Sequence, residues 1–269
     1  MRVLRVTTRN ASFQQWQALL TSRTKRHRAG EFIVQGVRPI GLAIEHGWRI
    51  RTLLYPAGRP LSGWAVQTLE RVPATRVAMA PDLLHELGEK SADGPPELLA
   101  VVELPDDDFA RIPLAADMLG LVFDRPSTPG NIGTLIRSAD AFGATGVIVT
   151  GHAADPYDPR AVRASTGSLF ALPVVRVPSH REVLAWIGDA GVQVVGTDER
   201  GDVDVCGVDL TVPTLVVIGN ETRGMSEGWR QACDRVARIP ITGAASSLNA
   251  AAAATVVLYE AARQRRDQL

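Results

Sequence analysis

The 269-residue chain is 45% hydrophobic and 22% charged with no net charge at neutral pH, a globular composition rather than a disordered or fibrous one. No apolar run reaches membrane-spanning length and the N-terminal MRVLRVTTRN has no apolar signal core, so neither a membrane span nor export is expected, and the predicted location is cytoplasmic. Cys206 and Cys233 are the only cysteines and the five histidines are scattered, so free thiols are expected, with a single disulfide as the other option, and no metal site.

Charge is unevenly spread along the chain. Residues 1–60 hold eleven Arg and Lys against Glu31 and Glu45, a balance of +9, whereas residues 61–117 hold four basic and eleven acidic residues, a balance of −7. A basic end on a neutral protein points to a polyanion contact; a solvated surface with local ion pairs is the plainer alternative. In chain order, Asn10 to Leu20 reads as a helix with Phe13, Trp16, Leu19 and Leu20 on one side. The basic stretch TSRTKRHRAG follows and closes at Gly30. EFIVQG reads as a strand, VRPIGLAIEHG as a helix stopped by Gly47, and IRTLLY as a strand. LSGWAVQTLERV is a helix, RVAMA a strand, PDLLHELGE a short helix and PELLAVVEL a last strand, which completes a small α/β module. DDDFARIPLAAD, with its charge run and Pro113, reads as a linker over 106–116.

A second alternation follows. The strands are LGLVFD, GVIVT, LPVVRV, VQVVGTD, TLVVIG and VARIPI; the helices are NIGTLIRSADAFG, DPRAVRAST, REVLAWIGDAG, MSEGWRQACD and an alanine-rich terminal helix. This pattern predicts a parallel sheet covered on both faces, with ligands beyond the carboxyl ends of its strands. Three post-strand stretches are candidates. In FDRPSTPGNIGTLIRSADAFG, Asn131 suits a helix N-cap and Arg137 follows on the same helix. In VVIGNETRGMSEGW a buried-type strand breaks at Gly219 into Asn220, Glu221, Thr222, Arg223 and Gly224, where glycine permits close approach. In RIPITGAASSLNAAAAATVVLYEAARQ a small polar loop precedes the alanine helix, Ser246 or Ser247 suits its cap, and alanine lets other backbone come near. Taken singly, each fits an ordinary capped turn. No G-x-G-x-x-G follows a strand and no G-x-x-x-x-G-K-[ST] occurs, which counts against NAD and ATP.

Together the three stretches, with RTKRHRAGEFIVQGVRPIGLAIEHG, STGSLF and ASSLNAA, resemble the SpoU family of RNA ribose methyltransferases of the SPOUT class. The resemblance implies an L30e-like RNA-binding domain over 1–105, a linker over 106–116, and an α/β SPOUT domain over 117–269 closed by a trefoil knot. It implies S-adenosylmethionine as methyl donor, held by Thr197, Gly219, Asn220, Gly224, Ile239 and Leu248. It matches Asn131 and Arg137 to the family's first motif, Glu221 to the second, and Ser247 and Asn249 to the third. The implied reaction is attack of a ribose 2′-hydroxyl on the donor's methyl group, where positioning is a large part of the rate. The hydroxyl is a weak acid and needs a base or a polarising arrangement. A guanidinium is a poor proton acceptor, so Arg137 reads as a clamp on phosphate and ribose, a proton relay only in an unusual environment; Asn131 orients either Arg137 or the hydroxyl, and Glu221 reads as the partner of an arginine across a subunit boundary. The family works as a homodimer through the knotted domain; Trp229 and the last helix are interface candidates, with core packing the commoner fate of such residues. Arg23, Lys25, Arg26, Arg28 and Arg163 are the candidate RNA contacts. The motifs are most similar to those of members that modify a 23S rRNA uridine in antibiotic resistance. The alternatives are methylation of tRNA or another rRNA site, and a non-catalytic RNA-binding protein of the same fold.

Overall fold

Strands apolar along their whole length need cover on both faces. LGLVFD, GVIVT and TLVVI are such strands, and in the computed structural model, which describes residues 3–88 and 96–267, every residue of all three is buried. They are β6 (Leu119–Asp124), β7 (Gly146–Thr150) and β11 (Thr214–Ile218) of a seven-stranded sheet. The others are β8 (Val174–Val177), β9 (Gln193–Thr197), β10 (Val203–Asp204) and β12 (Arg235–Arg238). The order is β10-β12-β9-β11-β6-β7-β8 and every pairing is parallel. From β6 the chain adds β7 and β8 on one side, then crosses to the other side, where β9 comes first, β11 fills the place between β9 and β6, and β12 pairs on the outer side of β9. Loops leaving β6 and β11 therefore diverge, which makes their carboxyl ends a natural ligand crevice.

The connecting helices of this unit are α6 (Pro129–Ala141), α9 (His180–Ile187), α10 (Glu227–Ala232) and α11 (Ala250–Arg266). Helix α11 buries Ala251, Ala254, Val257, Leu258 and Ala261, and packs along α6, where the Ser138 and Thr255 hydroxyls meet at 2.7 Å. Trp229 on α10 is fully buried in the core with Val122, Ile148, Leu215 and Val217, so of its two readings, core packing and interface surface, core packing is the one found. Residues 106–116, expected as a linker, pack onto this unit. Ile112 is buried in the same core, and Asp107 accepts hydrogen bonds from the Arg176 backbone and guanidinium.

The other unit comprises Met1–Pro105 with Tyr157–Ala171. Its sheet, β1 (Val3–Val6), β4 (Thr75–Met79), β3 (Ile50–Pro56), β5 (Leu99–Glu103) and β2 (Glu31–Gln35) in that order, is mixed: β5 runs antiparallel to both neighbours. The first strand was not foreseen, because a four-residue edge strand carries too little alternation. Helices α1 (Ala11–Thr21), α3 (Val37–Glu45), α4 (Gly63–Arg71) and α5 (Pro81–Leu87) fall where the periodicity put them. Residues 157–171, placed with the second domain by chain order, belong to this unit as α7 (Pro159–Ala164) and α8 (Ser168–Ala171): Phe170 stacks with Phe32 and meets Trp48 edge-on, and Tyr157 lies against Phe32.

The basic run is itself a helix, α2 (Arg23–Ala29), capped by Ser22, whose hydroxyl accepts the Lys25 N–H. Helical geometry splits the run. Arg23, Lys25 and Arg28 are exposed, but Arg26 is 1% exposed; its Nη1 donates to the Leu19 carbonyl at 2.8 Å and its Nη2 lies 3.6 Å from Asp158. Arg26 is thus removed from the expected RNA contacts: it is a structural cation that ties α2 to the N-cap of α7. Replacing it with methionine should lower stability by about 2–3 kcal/mol, less than for a wholly buried pair because Asp158 keeps some solvent. Urea unfolding of the parent and Arg26→Met measures this.

Candidate functional site

Beyond the carboxyl ends of β9, β11 and β12 lies a cleft of about 440 Å3. Its apolar lining comes from Ile218, Ala237, Ile239 and Leu248, and its polar lining from Thr197, Asp198, Asn220, Glu221 and Arg230. The six residues expected to hold the donor, Thr197, Gly219, Asn220, Gly224, Ile239 and Leu248, all line it. Backbone governs one wall. Asn220 and Gly224 exchange both backbone hydrogen bonds at 3.0 Å, closing a tight loop for which Gly224 adopts a φ of 64°. A Cβ on Gly219 would lie 2.3 Å from the Met225 nitrogen and 2.4 Å from the Gly224 carbonyl carbon, so any side chain there displaces the loop. Thr197 turns its hydroxyl to the Val217 carbonyl at 3.0 Å, and Asp198 pairs with Arg230. Ala250 and Ala253, one turn apart on α11, form another wall. Their small side chains leave the space open.

Glu221 stands on the rim. Its Oε2 accepts from the Ser127 N–H and hydroxyl, each at 2.9 Å, and its Oε1 accepts from the Thr128 N–H and the Asn131 Nδ2, each at 3.0 Å. Partial burial works to raise the carboxyl pKa, but the hydrogen bonds from Ser127 and Asn131 outweigh it and bring it down to about 2. Within the chain, these donors from the loop after β6 and from α6 are the partners of the carboxylate. The network continues: Asn131 Oδ1 accepts from Asn249 Nδ2 at 3.2 Å, and Asn249 Oδ1 accepts from the Ala251 and Ala252 N–H groups at the start of α11. Donor-only backbone at one end and an acceptor-only carboxylate at the other fix the orientation of both amides between them.

Two capping expectations are corrected by this arrangement. Thr128 occupies the N-cap position of α6, which begins with Pro129, so Asn131 is inside the first turn and free to reach Glu221. Asn249, not Ser246 or Ser247, caps α11. Ser247 is exposed and lines the cleft. Arg137 is exposed, makes no hydrogen bond or ion pair among the described residues, and does not line the cleft. Arg163, on α7, is exposed in the other unit, as are Arg23, Lys25 and Arg28.

Residues 118–259 match the model of the SpoU rRNA Methylase family, and residues 10–100 match the SpoU L30e-like domain. The chain belongs to the SpoU rRNA methylase family. It is 62% identical over 266 residues to the 23S rRNA (uridine(2479)-2′-O)-methyltransferase of Streptomyces viridochromogenes, covering 97% of this chain and 92% of that protein. The crystal structure of the SpoU methyltransferase AviRb from the same organism, in complex with the cofactor AdoMet, superposes with a TM-score of 0.92 over 96% of this chain and 99% of that one. An AdoMet-bound rRNA methyltransferase from Sinorhizobium meliloti is 32% identical, with a TM-score of 0.87 and 99% of both chains covered.

For a SpoU chain, several cleft and rim residues escaped sequence reasoning. Ser127 and Thr128 sit in the quoted FDRPSTPGNIG stretch, but only the fold brings Glu221 to them across 93 or more positions. Asp198 and Arg230 meet from two separate post-strand segments and carried no local signal. Among the described residues no group of three or more His, Cys, Asp or Glu is placed to hold a metal, and no helix is long and apolar enough to cross a membrane. Cys233 is a free thiol whose pKa burial pushes up to about 11, with Asp234 adding to the effect.

The lowered Glu221 pKa sets a pH dependence. A carboxyl that folding shifts down from 4.5 to about 2 stabilises the fold fully above the upper value, and the contribution is lost as pH falls through the lower one. Urea unfolding at pH 7 and at steps down to about 2.5 should therefore show a stability gap between the parent and Glu221→Gln that is widest at neutral pH and narrows below about 4.5.

Proposed function

We propose that this chain transfers a methyl group from S-adenosylmethionine to a ribose 2′-hydroxyl of 23S rRNA, at a uridine. The observation that carries the reading is the cleft beside the Glu221–Asn131–Asn249 chain, with the 62% identical uridine 2′-O-methyltransferase in support. The cleft suits an adenosine-sized ligand. Its volume is within the range of small-molecule sites, and Ile218, Ala237, Ile239 and Leu248 give it apolar lining for a base. Bound there, S-adenosylmethionine supplies an electrophilic methyl group on a sulfonium.

The chain's own residues then have distinct tasks. Thr197, Gly219, Asn220, Gly224, Ile239 and Leu248 enclose the donor. Arg137, exposed on α6 and carrying no ion pair among the described residues, binds the target phosphate and ribose by its charge. Asn131, held in one orientation, directs the reacting hydroxyl, with Ser247 and Asn249 on the facing loop; Glu221 fixes Asn131 and stays ionised. Arg23, Lys25, Arg28 and Arg163 hold RNA phosphates on the other unit. The chain acts as a homodimer through the second unit, where Val256 and Tyr259 are exposed on α11 and Tyr259 meets Phe142 edge-on. The site of action is the cytoplasm, where ribosomes are made, and protection against a ribosome-targeting antibiotic is the physiological role the motifs imply.

The deciding experiment is mass-spectrometric mapping of ribose methylation on 23S rRNA with and without this protein. A new 2′-O-methyluridine is the expected outcome; methylation found only on tRNA would replace this substrate.

Two variants test the roles. Arg137→Ala should lower single-turnover methylation by at least about 100-fold while S-adenosylmethionine affinity stays within about twofold. Asn249→Asp keeps the helix cap, since Asp and Asn cap about equally well, but turns an acceptor toward Asn131. Asn131 must then flip its amide and face Glu221 with oxygen. Asn249→Asp should therefore keep α11 capped yet lose most of its methylation rate, its melting temperature falling only by the lost Asn131–Glu221 hydrogen bond, and Asn249→Ala should lose the cap as well, with about 1 kcal/mol of stability.

The RNA surface is tested by salt. Each phosphate contact contributes about 0.7–0.9 to the slope of log K against log salt. Neutralising Arg23, Lys25 and Arg28 together should flatten that slope by about two to three units without changing the nucleotide modified. RNA titrations from low to high salt read this, and Arg26→Met should leave the slope unaltered.

A further inference from the structure

The loop that forms one wall of the cleft is held by a residue outside it. Arg125 directly follows β6 and has a φ of 51°, a conformation that a long side chain adopts only when its surroundings hold it there. Both backbone groups of Arg125 and two of its three guanidinium nitrogens are engaged. Its N–H donates to the Thr150 carbonyl at 2.9 Å and its carbonyl accepts from Asn220 Nδ2 at 2.7 Å. Its Nε donates to Asp124 Oδ2 at 3.1 Å and its Nη2 donates to the Gly224 carbonyl at 3.1 Å. Asp124 is 2% exposed, and also accepts from the Ser226 N–H at 2.7 Å and from the Thr150 hydroxyl at 3.1 Å. Thr150 in turn accepts from the buried Trp229 indole at 3.3 Å. Space is reserved for the stem of Arg125: a Cβ on Gly151 would lie 2.7 Å from its Cγ.

We propose that Arg125 is a positioning residue for the donor cleft, its guanidinium joining the buried Asp124 carboxylate to the Gly224 carbonyl and so setting the shape of the Asn220–Gly224 loop. The two atoms it joins lie on opposite sides of the β6–β11 crevice. Without the guanidinium, Asp124 keeps its other donors, but the Gly224 carbonyl keeps only the Asn220 N–H, and the loop is free to open. This rests on the reading of the cleft as the S-adenosylmethionine site.

The test compares Arg125→Gly, which removes the side chain and tolerates the backbone conformation, with Arg125→Lys, which keeps the charge and reaches one of the two acceptors. Three quantities are measured on folded protein: S-adenosylmethionine affinity by calorimetry, rRNA affinity by filter binding, and hydrogen exchange at the Asn220 and Gly224 amides. Arg125→Gly should weaken S-adenosylmethionine by about tenfold, speed exchange at both amides and leave rRNA affinity within about twofold; Arg125→Lys should fall between it and the parent. A merely structural role would lower the melting temperature without moving donor affinity in the folded protein. Parent-like affinity and exchange in Arg125→Gly overturn the proposal. If that variant does not fold, parent-like values for both in Arg125→Lys overturn it equally. If the parent itself binds no S-adenosylmethionine, the functional reading fails, and the exchange rates at Asn220 and Gly224 still decide whether Arg125 holds the loop.

Discussion

Two carboxylates clasp the loops that leave β6 and β11, and each reaches across to the backbone of the other loop. Asp124, at the end of β6, accepts from the Ser226 N–H beyond β11. Glu221, beyond β11, accepts from the Ser127 and Thr128 N–H groups beyond β6. Parallel neighbours whose connections run in opposite directions leave such loops with unpaired N–H groups at the sheet's carboxyl edge. Glu221, in satisfying them, is stabilised in its charged form, and both carboxylates join the two sides of the crevice by charge-assisted hydrogen bonds.

The polarity of everything above the sheet follows from that clasp. Glu221 can only accept, and the first N–H groups of α11 can only donate, so Asn131 and Asn249 are held with their amides pointing one way. Three separate segments thereby share one ordered polar chain. Helix α11 is brought in close by its alanines, some of which pack on α6 while Ala250 and Ala253 border the cleft. The same small side chain serves close packing on one face and open volume on the other.

The basic unit obeys a different constraint. Its cations are useful to a polyanion only where the helix turns them to solvent, and a run of cations on one helix cannot all face outward. Arg26 points inward and is neutralised by a backbone carbonyl and Asp158, while Arg23, Lys25 and Arg28 stay at the surface. Charge balance over a segment therefore overstates the number of cations that can meet phosphate.

By itself the sequence determined the α/β class, the parallel sheet, nearly all of the longer helices and the three post-strand stretches, because those depend on local periodicity, glycine and proline. It also supplied the family motifs, and the residues read from them as donor contacts line a single cleft. The tertiary structure alone decided the rest. It capped α11 with Asn249 rather than a neighbouring serine, freed Asn131 from the cap, placed Trp229 and Arg26 in cores, packed residues 106–116 onto the second unit, and set residues 157–171 with the first. Each of these outcomes turns on a partner dozens of positions away or on which face of a short element is covered. A local pattern names residues able to cap, pair or bind, but the donors and acceptors that meet them are chosen by the order of strands in the sheet.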